Sequence, residues 1–366
     1  MVILSISKLN NKQYAGTNIN IPKFVRYLNN ICDSGYLDCG EVILDNFKGF
    51  KNYFRLCDYK KFSIDKLPKP FNKPDIVVFQ DFYYFEAISI SKELIKKNIP
   101  YTIIPRCALT YEAQKRKSVK KNIGNILFFN NFINHAKFIH FLTENEYLES
   151  KRKFKIKDYV IIGNGVEMPQ KFYKLHNRKE FIITFLGRYN IYHKGLDILL
   201  STIKENKKWF LNKNVKLYLY GKDSDGGYQY LYNYIDRYKL DSIVKLNGPV
   251  YERDKEKVLL HSDIFIHTSR LEGHPTSVIE AISYGIPVIV TPGTNVLQEV
   301  KKYKLGFCCD QLNSKAIFDS LQIALESKEE FLKISKNEIE YAKENFDWKN
   351  ITSNIYEQYK IRIKGD

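Results

Sequence analysis

The sequence has no apolar run of the ~18–20 residues that a membrane-spanning helix requires. Its six cysteines stand at 32, 39, 57, 107, 308 and 309, with none of the CxxC pairing of a zinc site. In a chain of 366 residues they read as reduced core side chains rather than a disulfide framework. Met1 to Ser7 is a short apolar stretch without a basic lead or a small-residue cleavage site. It reads as a first buried strand, so we expect a cytoplasmic protein rather than a secreted one. There is no repeat of fixed period and no low-complexity linker. Acidic residues are scarce beside basic ones, 41 against 58, which leaves a net charge of +17. Nucleic acid, an anionic membrane and an anionic substrate would each suit that charge. A composition rich in Lys, Asn, Ile and Tyr would also produce it without a function. No nucleic-acid-binding motif accompanies it, so no nucleic-acid partner is expected.

What is present is an alternation of β-rich runs with amphipathic segments, the pattern of an α/β protein with parallel sheets. The length suits two domains of about 170 residues. Strands are predicted at Val2–Ile6, Glu41–Leu44, Asp75–Phe79, Tyr101–Ile104, Phe138–Leu142 and Val160–Ile162. A second set is predicted at Phe181–Leu186, Val215–Tyr220, Ile243–Leu246, Ile264–His267, Pro287–Thr291 and Gly306–Cys308. Helical patterns include Asn18–Cys32, Phe85–Lys97, Leu196–Phe210 and Ser277–Tyr284. Two successive βα sets suggest two Rossmann-like domains, although the strand count alone also suits a (β/α)₈ barrel. The turn-prone Gly163-Asn164-Gly165 is the expected hinge, giving domains at 1–163 and 164–346. A last helix near Trp348–Ile361 has no strand after it and is free to pack back on the first domain.

The segment richest in chemistry is SRLEGHPTSVIEAISYGIPVIVTP, from Ser269 to Pro292. A strand ends at His267, a loop carries Glu272, Gly273, His274 and Pro275, and a helix begins near Thr276 and Ser277. The free N–H groups of a helix N-terminus can hold a phosphate, and glycine at 273 lets a ligand approach the backbone. Glu280 lies near the same mouth and could bind a ribose diol. It could equally cap its own helix, because Ser277 and Glu280 have capping-box spacing. Upstream, Gly187-Arg188 follows a strand and Lys194-Gly195 opens a helix. Two cations at the C-terminal edge of a parallel sheet suit a diphosphate, while any isolated Arg or Lys is more often a solvated surface charge. Asn247 and Gly248 sit in a strand-end turn.

Together these segments resemble the signature of the group 1 glycosyltransferases (glycosyltransferase family 4, GT-B fold). Glu272 and Glu280 stand as its Glu-x7-Glu pair, followed by Ala281, Gly285, Pro287 and Val288. Gly187-Arg188-x5-Lys194-Gly195-x-Asp197 is similar to its second signature. The resemblance implies two Rossmann-like domains facing each other across a cleft. It implies that Glu280 binds the nucleotide ribose and Glu272 the donor sugar, and that Arg188 and Lys194 stabilise the departing diphosphate without a metal. Asn247 and Gly248 would wall the nucleobase pocket. His274 stands where an aromatic residue is usual, which leaves the identity of the sugar open. In the first domain, Gly16 would lie on a loop near the donor phosphate or the acceptor. Arg106 stands where a histidine is common, and its permanent charge suits a phosphate. His135 and His140 read as structural.

The expected function is therefore retaining, metal-independent transfer of a sugar from a nucleotide-sugar, UDP-linked by expectation, with no cofactor. The acceptor is expected to be a lipid-linked saccharide of bacterial surface polysaccharide assembly, such as capsule or exopolysaccharide. The alternatives are sugar-nucleotide epimerisation, phosphorolysis and the role of a non-catalytic partner in a glycosyltransferase pair. Two basic clusters, Lys115, Arg116, Lys117, Lys120 and Lys121, then Lys151, Arg152, Lys153, Lys155 and Lys157, are either solvated faces or a docking surface for anionic lipid at the inner membrane face.

Overall fold

The computed structural model describes residues 1–9, 16–40, 45–115, 118–270 and 272–365. The chain divides into two compact units. One comprises Met1–Gly165 with the segment from Trp348 onward, and the other Val166–Asp347. No helix among the described residues is long and apolar enough to cross a membrane.

The first unit holds a seven-stranded parallel sheet: β1 (Val2–Ser7), β2 (Asp33–Asp38), β3 (Tyr53–Arg55), β4 (Ile76–Phe79), β5 (Tyr101–Ile103), β6 (Phe138–Phe141) and β7 (Tyr159–Ile161). Their spatial order is β3-β2-β1-β4-β5-β6-β7. Every residue of β4 and β6 is buried, as expected of strands covered on both faces. One face packs Leu4, Val77, Phe79 and Phe132. The other packs Ile3, Ile21, Phe24 and Val78, together with Trp348, Ile351, Ile355 and Tyr359 of the last helix, Trp348–Lys364. That helix lies against the Gly16–Leu28 helix, with Tyr27 and Trp348 stacked at 6.0 Å between centroids. A Cβ at Gly165 would sit 2.5 Å from a Trp348 ring carbon, so only glycine admits the indole here. His140 is buried and structural: Tyr359 Oη lies 2.7 Å from its Nδ1 and the Ile162 carbonyl 2.8 Å from its Nε2.

The second unit holds β8 (Phe181–Leu186), β9 (Val215–Tyr220), β10 (Val244–Asn247), β11 (Ile264–His267), β12 (Val288–Val290) and β13 (Gly306–Cys308). All are parallel, in the order β10-β9-β8-β11-β12-β13. This is the doubly wound order, so the fold is two parallel-sheet, Rossmann-like α/β units rather than a closed barrel.

Two strands, β2 and β3, fall where none was predicted. The β2 sequence, DSGYLD, has four turn-forming residues among its six, and its burial depends on hydrogen bonds that composition does not reveal. Asp38 is buried and accepts from the Gly40 amide (2.7 Å) and from Tyr53 Oη on β3 (2.9 Å). The strand predicted at Glu41–Leu44 lies outside the described residues, as do Tyr14 and Ala15 of the loop before Gly16. The helix predicted over Leu196–Phe210 is two helices, Leu196–Glu205 and Lys207–Asn212, because Asn206 at the junction has a non-helical backbone (φ −112°, ψ 24°).

Candidate functional site

In the second unit the chain leaves β8 toward β9 and β10 on one side, then crosses to β11 on the other. The carboxyl ends of β8 and β11 therefore flank the point where winding reverses, the place where such sheets bind ligands. The loops leaving these two strands carry most of the residues singled out in the sequence.

Glycines let these loops pack backbone to backbone. A Cβ at Gly221 would lie 2.0 Å from the Gly187 carbonyl oxygen. Gly195 has φ +63°, and a Cβ there would lie 2.0 Å from the Thr268 carbonyl oxygen. In return Thr268 Oγ1 donates to the Lys194 carbonyl (2.9 Å). Asn190 caps the short Ile191–Lys194 helix through the His193 amide (3.0 Å). Arg270 forms a two-pronged ion pair with Asp197 (2.7 Å for each N–H···O) and also donates to the Tyr192 carbonyl (2.7 Å). The aspartate of the second signature thus serves to fasten the β11 loop to the β8 loop, a role that sequence reading did not assign.

These contacts bring Lys194 and Glu272 together. Glu272 Oε1 accepts from Lys194 Nζ and from Ser269 Oγ (2.9 Å for the serine). Glu272 Oε2 makes no hydrogen bond among the described residues. Burial pushes the Glu272 carboxyl up, but the charge of Lys194 and the hydrogen bonds from Lys194 and Ser269 bring it below the usual carboxylate range. Asn295 Nδ2 holds the loop from behind by donating to the Glu272 and Gly273 carbonyls. His267 lies beneath, fully buried, with Nε2 3.8 Å from Glu272 Oε1 and its ring stacked on Phe185. Burial, reinforced by the Lys194 charge, lowers its pKa to about 3, so the ring is neutral at pH 7. Gly187 lies against the Phe185 ring, where a Cβ would come within 2.9 Å of a ring carbon. Arg188 is exposed, and its guanidinium makes no hydrogen bond or ion pair among the described residues.

The Thr276–Tyr284 helix is capped at Pro275 without a side-chain hydrogen bond. Ser277 therefore sits inside the first turn and Glu280 beyond it, so the capping box that their spacing allowed does not form. Glu280 Oε1 instead accepts from Lys255 Nζ (2.6 Å) on the neighbouring Glu252–Leu260 helix. The amides of Val278 and Ile279 return to the Pro275 carbonyl (2.9 and 3.1 Å). The Ser277 amide makes no hydrogen bond among the described residues. His274 stands edge-on to Phe346 at 6.0 Å, and burial lowers its pKa to about 4.

Asn247 ends β10, and its side chain donates to the Leu219 and Lys245 carbonyls (3.2 Å each). The buried Tyr189 connects it to the β8 loop, with its hydroxyl between the Leu219 carbonyl (2.9 Å) and the Asn247 carbonyl. Gly248 is exposed, and a Cβ there would meet nothing within 4 Å.

In the first unit, Gly16 is the exposed first residue of its helix. Arg106 follows β5 with φ +48°, and the next residue, Cys107, has φ +66°. Its guanidinium donates to the Gln80 carbonyl (2.8 Å), Gln80 Oε1 (2.8 Å) and Asn164 Oδ1 (3.3 Å). The Glu146 carboxylate anchors the turn through the Cys107 and Leu142 amides. This backbone geometry, uncommon for residues with a side chain, is thus held in place by a buried network.

The chain is 28% identical over 199 residues to an uncharacterised glycosyltransferase of Haemophilus influenzae, covering 53% of each chain. It is 26% identical over 176 residues to one component of the human phosphatidylinositol N-acetylglucosaminyltransferase, covering 47% of this chain and 35% of that one. It spans about half or less of the length of the curated relatives it matches. Among solved structures it resembles Anabaena HepE bound to UDP and glucose, with a TM-score of 0.73 at 16% identity over 98% of this chain and 99% of that one. It also resembles a Thermosynechococcus elongatus sucrose-phosphate synthase, with a TM-score of 0.76 at 15% identity over 100% and 99%. At such identities these structures speak to the fold, which is that of GT-B glycosyltransferases. Residues 166–344, nearly the whole of the second unit, match the family model for glycosyl transferases group 1.

Proposed function

We propose that this chain is a retaining, metal-independent glycosyltransferase that moves a sugar from a nucleotide-sugar to a saccharide acceptor. The observation that carries the reading is the pairing of Lys194 with Glu272 on the loops at the winding-reversal point, with Arg188 on the same β8 loop exposed and without a hydrogen bond or ion pair among the described residues, in a unit that matches the group 1 model. Arg188 and Lys194 receive the diphosphate, and the first turn at Thr276 and Ser277 adds amide donors and the positive end of a helix dipole. Stabilising charge on the leaving group by fixed cations and dipoles lowers the barrier to breaking the sugar–phosphate bond and calls for no metal. Glu280 binds the ribose, and Glu272 uses its free Oε2 to accept from a hydroxyl of the sugar. Gly273, His274 and Pro275 shape the sugar pocket, and Asn247 and Gly248 the base pocket.

In the step we propose, the bond from the anomeric carbon to phosphate breaks with its electron pair going to the diphosphate. The acceptor oxygen bonds to the same face of that carbon, and its proton passes to the departing phosphate oxygen. Gly16 and Arg106 serve the acceptor or the donor phosphate. The structures of HepE with UDP and with UDP-glucose favour a UDP-linked donor. The likeness to WaaB, a lipopolysaccharide outer core galactosyltransferase, favours a lipid-linked saccharide acceptor at the cytoplasmic face of a membrane.

A thermal-shift series with UDP-, GDP- and ADP-sugars tests the donor. A donor present at about 100 times its dissociation constant adds about 2.7 kcal/mol to stability. UDP-sugars should raise the melting temperature and release UDP on addition of an acceptor. No shift with any of the three classes would overturn the reading.

A further inference from the structure

The two basic clusters, separate in sequence, meet in the first unit. Arg152 lies over the Tyr111 ring at 4.3 Å, and Lys115 over the same ring at 4.5 Å. Lys153 Nζ donates to Asn122 Oδ1 (2.7 Å). Lys120, Lys151 and Lys153 make no ion pair with a carboxylate among the described residues. Arg116 and Lys117 lie outside the described residues.

Between these cations runs a continuous helix over 118–134, with a wider π turn at Asn125–Phe129. Its inner face is accounted for: Phe129, Phe132 and Ile133 enter the core, and Asn125 bonds Tyr83 Oη (3.1 Å) and Gln114 Oε1 (3.0 Å). Its outer face is also apolar. Val119, Ile123, Ile126 and Leu127, spaced four, three and one apart, are 72%, 54%, 75% and 62% exposed. Phe85, 69% exposed, extends the strip through an edge-on contact with Phe128 at 5.8 Å. Single exposed aliphatic residues need no explanation, but a contiguous strip at helical spacing marks an interaction surface.

We propose that this outer face is an interfacial docking element that seats the first unit on an anionic phospholipid surface. The aliphatic strip enters the headgroup–acyl boundary while Lys120, Lys151 and Lys153 meet lipid phosphates, the arrangement of an in-plane amphipathic helix. Arg152 and Lys115 are ion-paired with Glu149 and Glu112 (2.8 and 2.7 Å). The charge decides for lipid over a second copy of this chain, since two copies facing each other would juxtapose the same cations. Docking does not depend on the catalytic reading, because it requires no sugar donor.

The test is flotation of the full chain with vesicles of phosphatidylcholine alone and with about 30% phosphatidylglycerol. The protein should float with the anionic vesicles at least tenfold better than with the neutral ones. An Ile126→Asp/Leu127→Asp variant should lose more than tenfold in partitioning at an unchanged melting temperature, since both side chains already face solvent. A Lys120→Glu/Lys151→Glu variant should lose several-fold, and 0.5 M salt should mimic that loss. Failure of the parent chain to float, or equal floating of the Asp variant, would overturn the proposal. So would a dimer in solution that the Asp variant dissolves without any lipid binding, which would assign the strip to a second copy.

Discussion

Neutralising Glu272 should separate nucleotide binding from sugar transfer. In the unliganded site Lys194 Nζ is held by Glu272 Oε1. A phosphate held by the same ammonium would have its charge centre about 6 Å from that of the carboxylate, since N–H···O reaches of ~2.8 Å at a tetrahedral nitrogen put the two accepting oxygens ~4.6 Å apart and the charge centres lie beyond them. Two unit charges at ~6 Å repel by ~0.7–2.8 kcal/mol for an effective dielectric constant between about 80 and 20, a factor of roughly 3 to 100 in affinity. Glu272→Gln removes that repulsion while keeping the size of the side chain. Calorimetric titration with UDP alone should therefore show tighter binding by Glu272→Gln than by the parent. Turnover should fall, because a hydrogen bond from a sugar hydroxyl to a charged acceptor contributes ~1.5–3 kcal/mol, about 10- to 100-fold in rate. UDP affinity that is unchanged or weaker in Glu272→Gln would refute the shared-lysine geometry, whatever happens to turnover.

Three further outcomes follow from the packing. Gly195→Ala places a side chain in the left-handed region, at about 1–2 kcal/mol, and against the Thr268 carbonyl, at a further ~1–3 kcal/mol. The melting temperature should fall by about 5–15 °C in scanning calorimetry, and a fall below about 2 °C would contradict the close approach. Glu338 is buried with neither carboxylate oxygen hydrogen-bonded among the described residues, and burial raises its pKa well above the usual 4.5. Its folded-state pKa exceeds the unfolded value, so its contribution to stability is full below pH 4.5 and is lost as pH rises. Glu338→Gln should therefore gain in melting temperature over the parent between pH 4.5 and 7.5, and a difference that does not vary with pH would refute this. Trp348→Ala should cost ~3–5 kcal/mol in urea unfolding and raise hydrogen exchange in the Trp348–Lys364 helix. Loss of protection in the second unit alone would contradict the packing described.

Much of the fold was legible because both sheets are parallel and buried on two faces. Strands such as Phe181–Leu186 and Val215–Tyr220 stand in the sequence as predominantly apolar or aromatic runs, broken only by Thr184 and Lys216, and the structure places them at those residues. β2 was not legible because its burial rests on Asp38 hydrogen bonds with residues outside the strand. The site was legible as a set of residue types. Its wiring was not, since each link joins positions remote in sequence. Lys194 and Glu272 stood in different motifs, with the lysine assigned to the diphosphate and the carboxylate to the sugar, yet they bond to each other. The cap suggested for Glu280 gave way to Lys255 on another helix, and Asp197 gained a purpose only once Arg270 was seen opposite it. Asn295, His267 and Tyr189 carried no local signal at all.

The return of the Trp348–Lys364 helix to the first unit has a consequence during synthesis. That unit is discontinuous along the chain, with the whole of Val166–Asp347 inserted before its last helix. At about 5–20 residues per second, the ribosome needs roughly 10–40 s to make the inserted unit. Through that interval the groove lined by Ile21, Phe24, Val25 and Ile162 lacks Trp348, Ile355 and Tyr359. The second unit is complete in sequence first, and the first to be translated is the last to be finished.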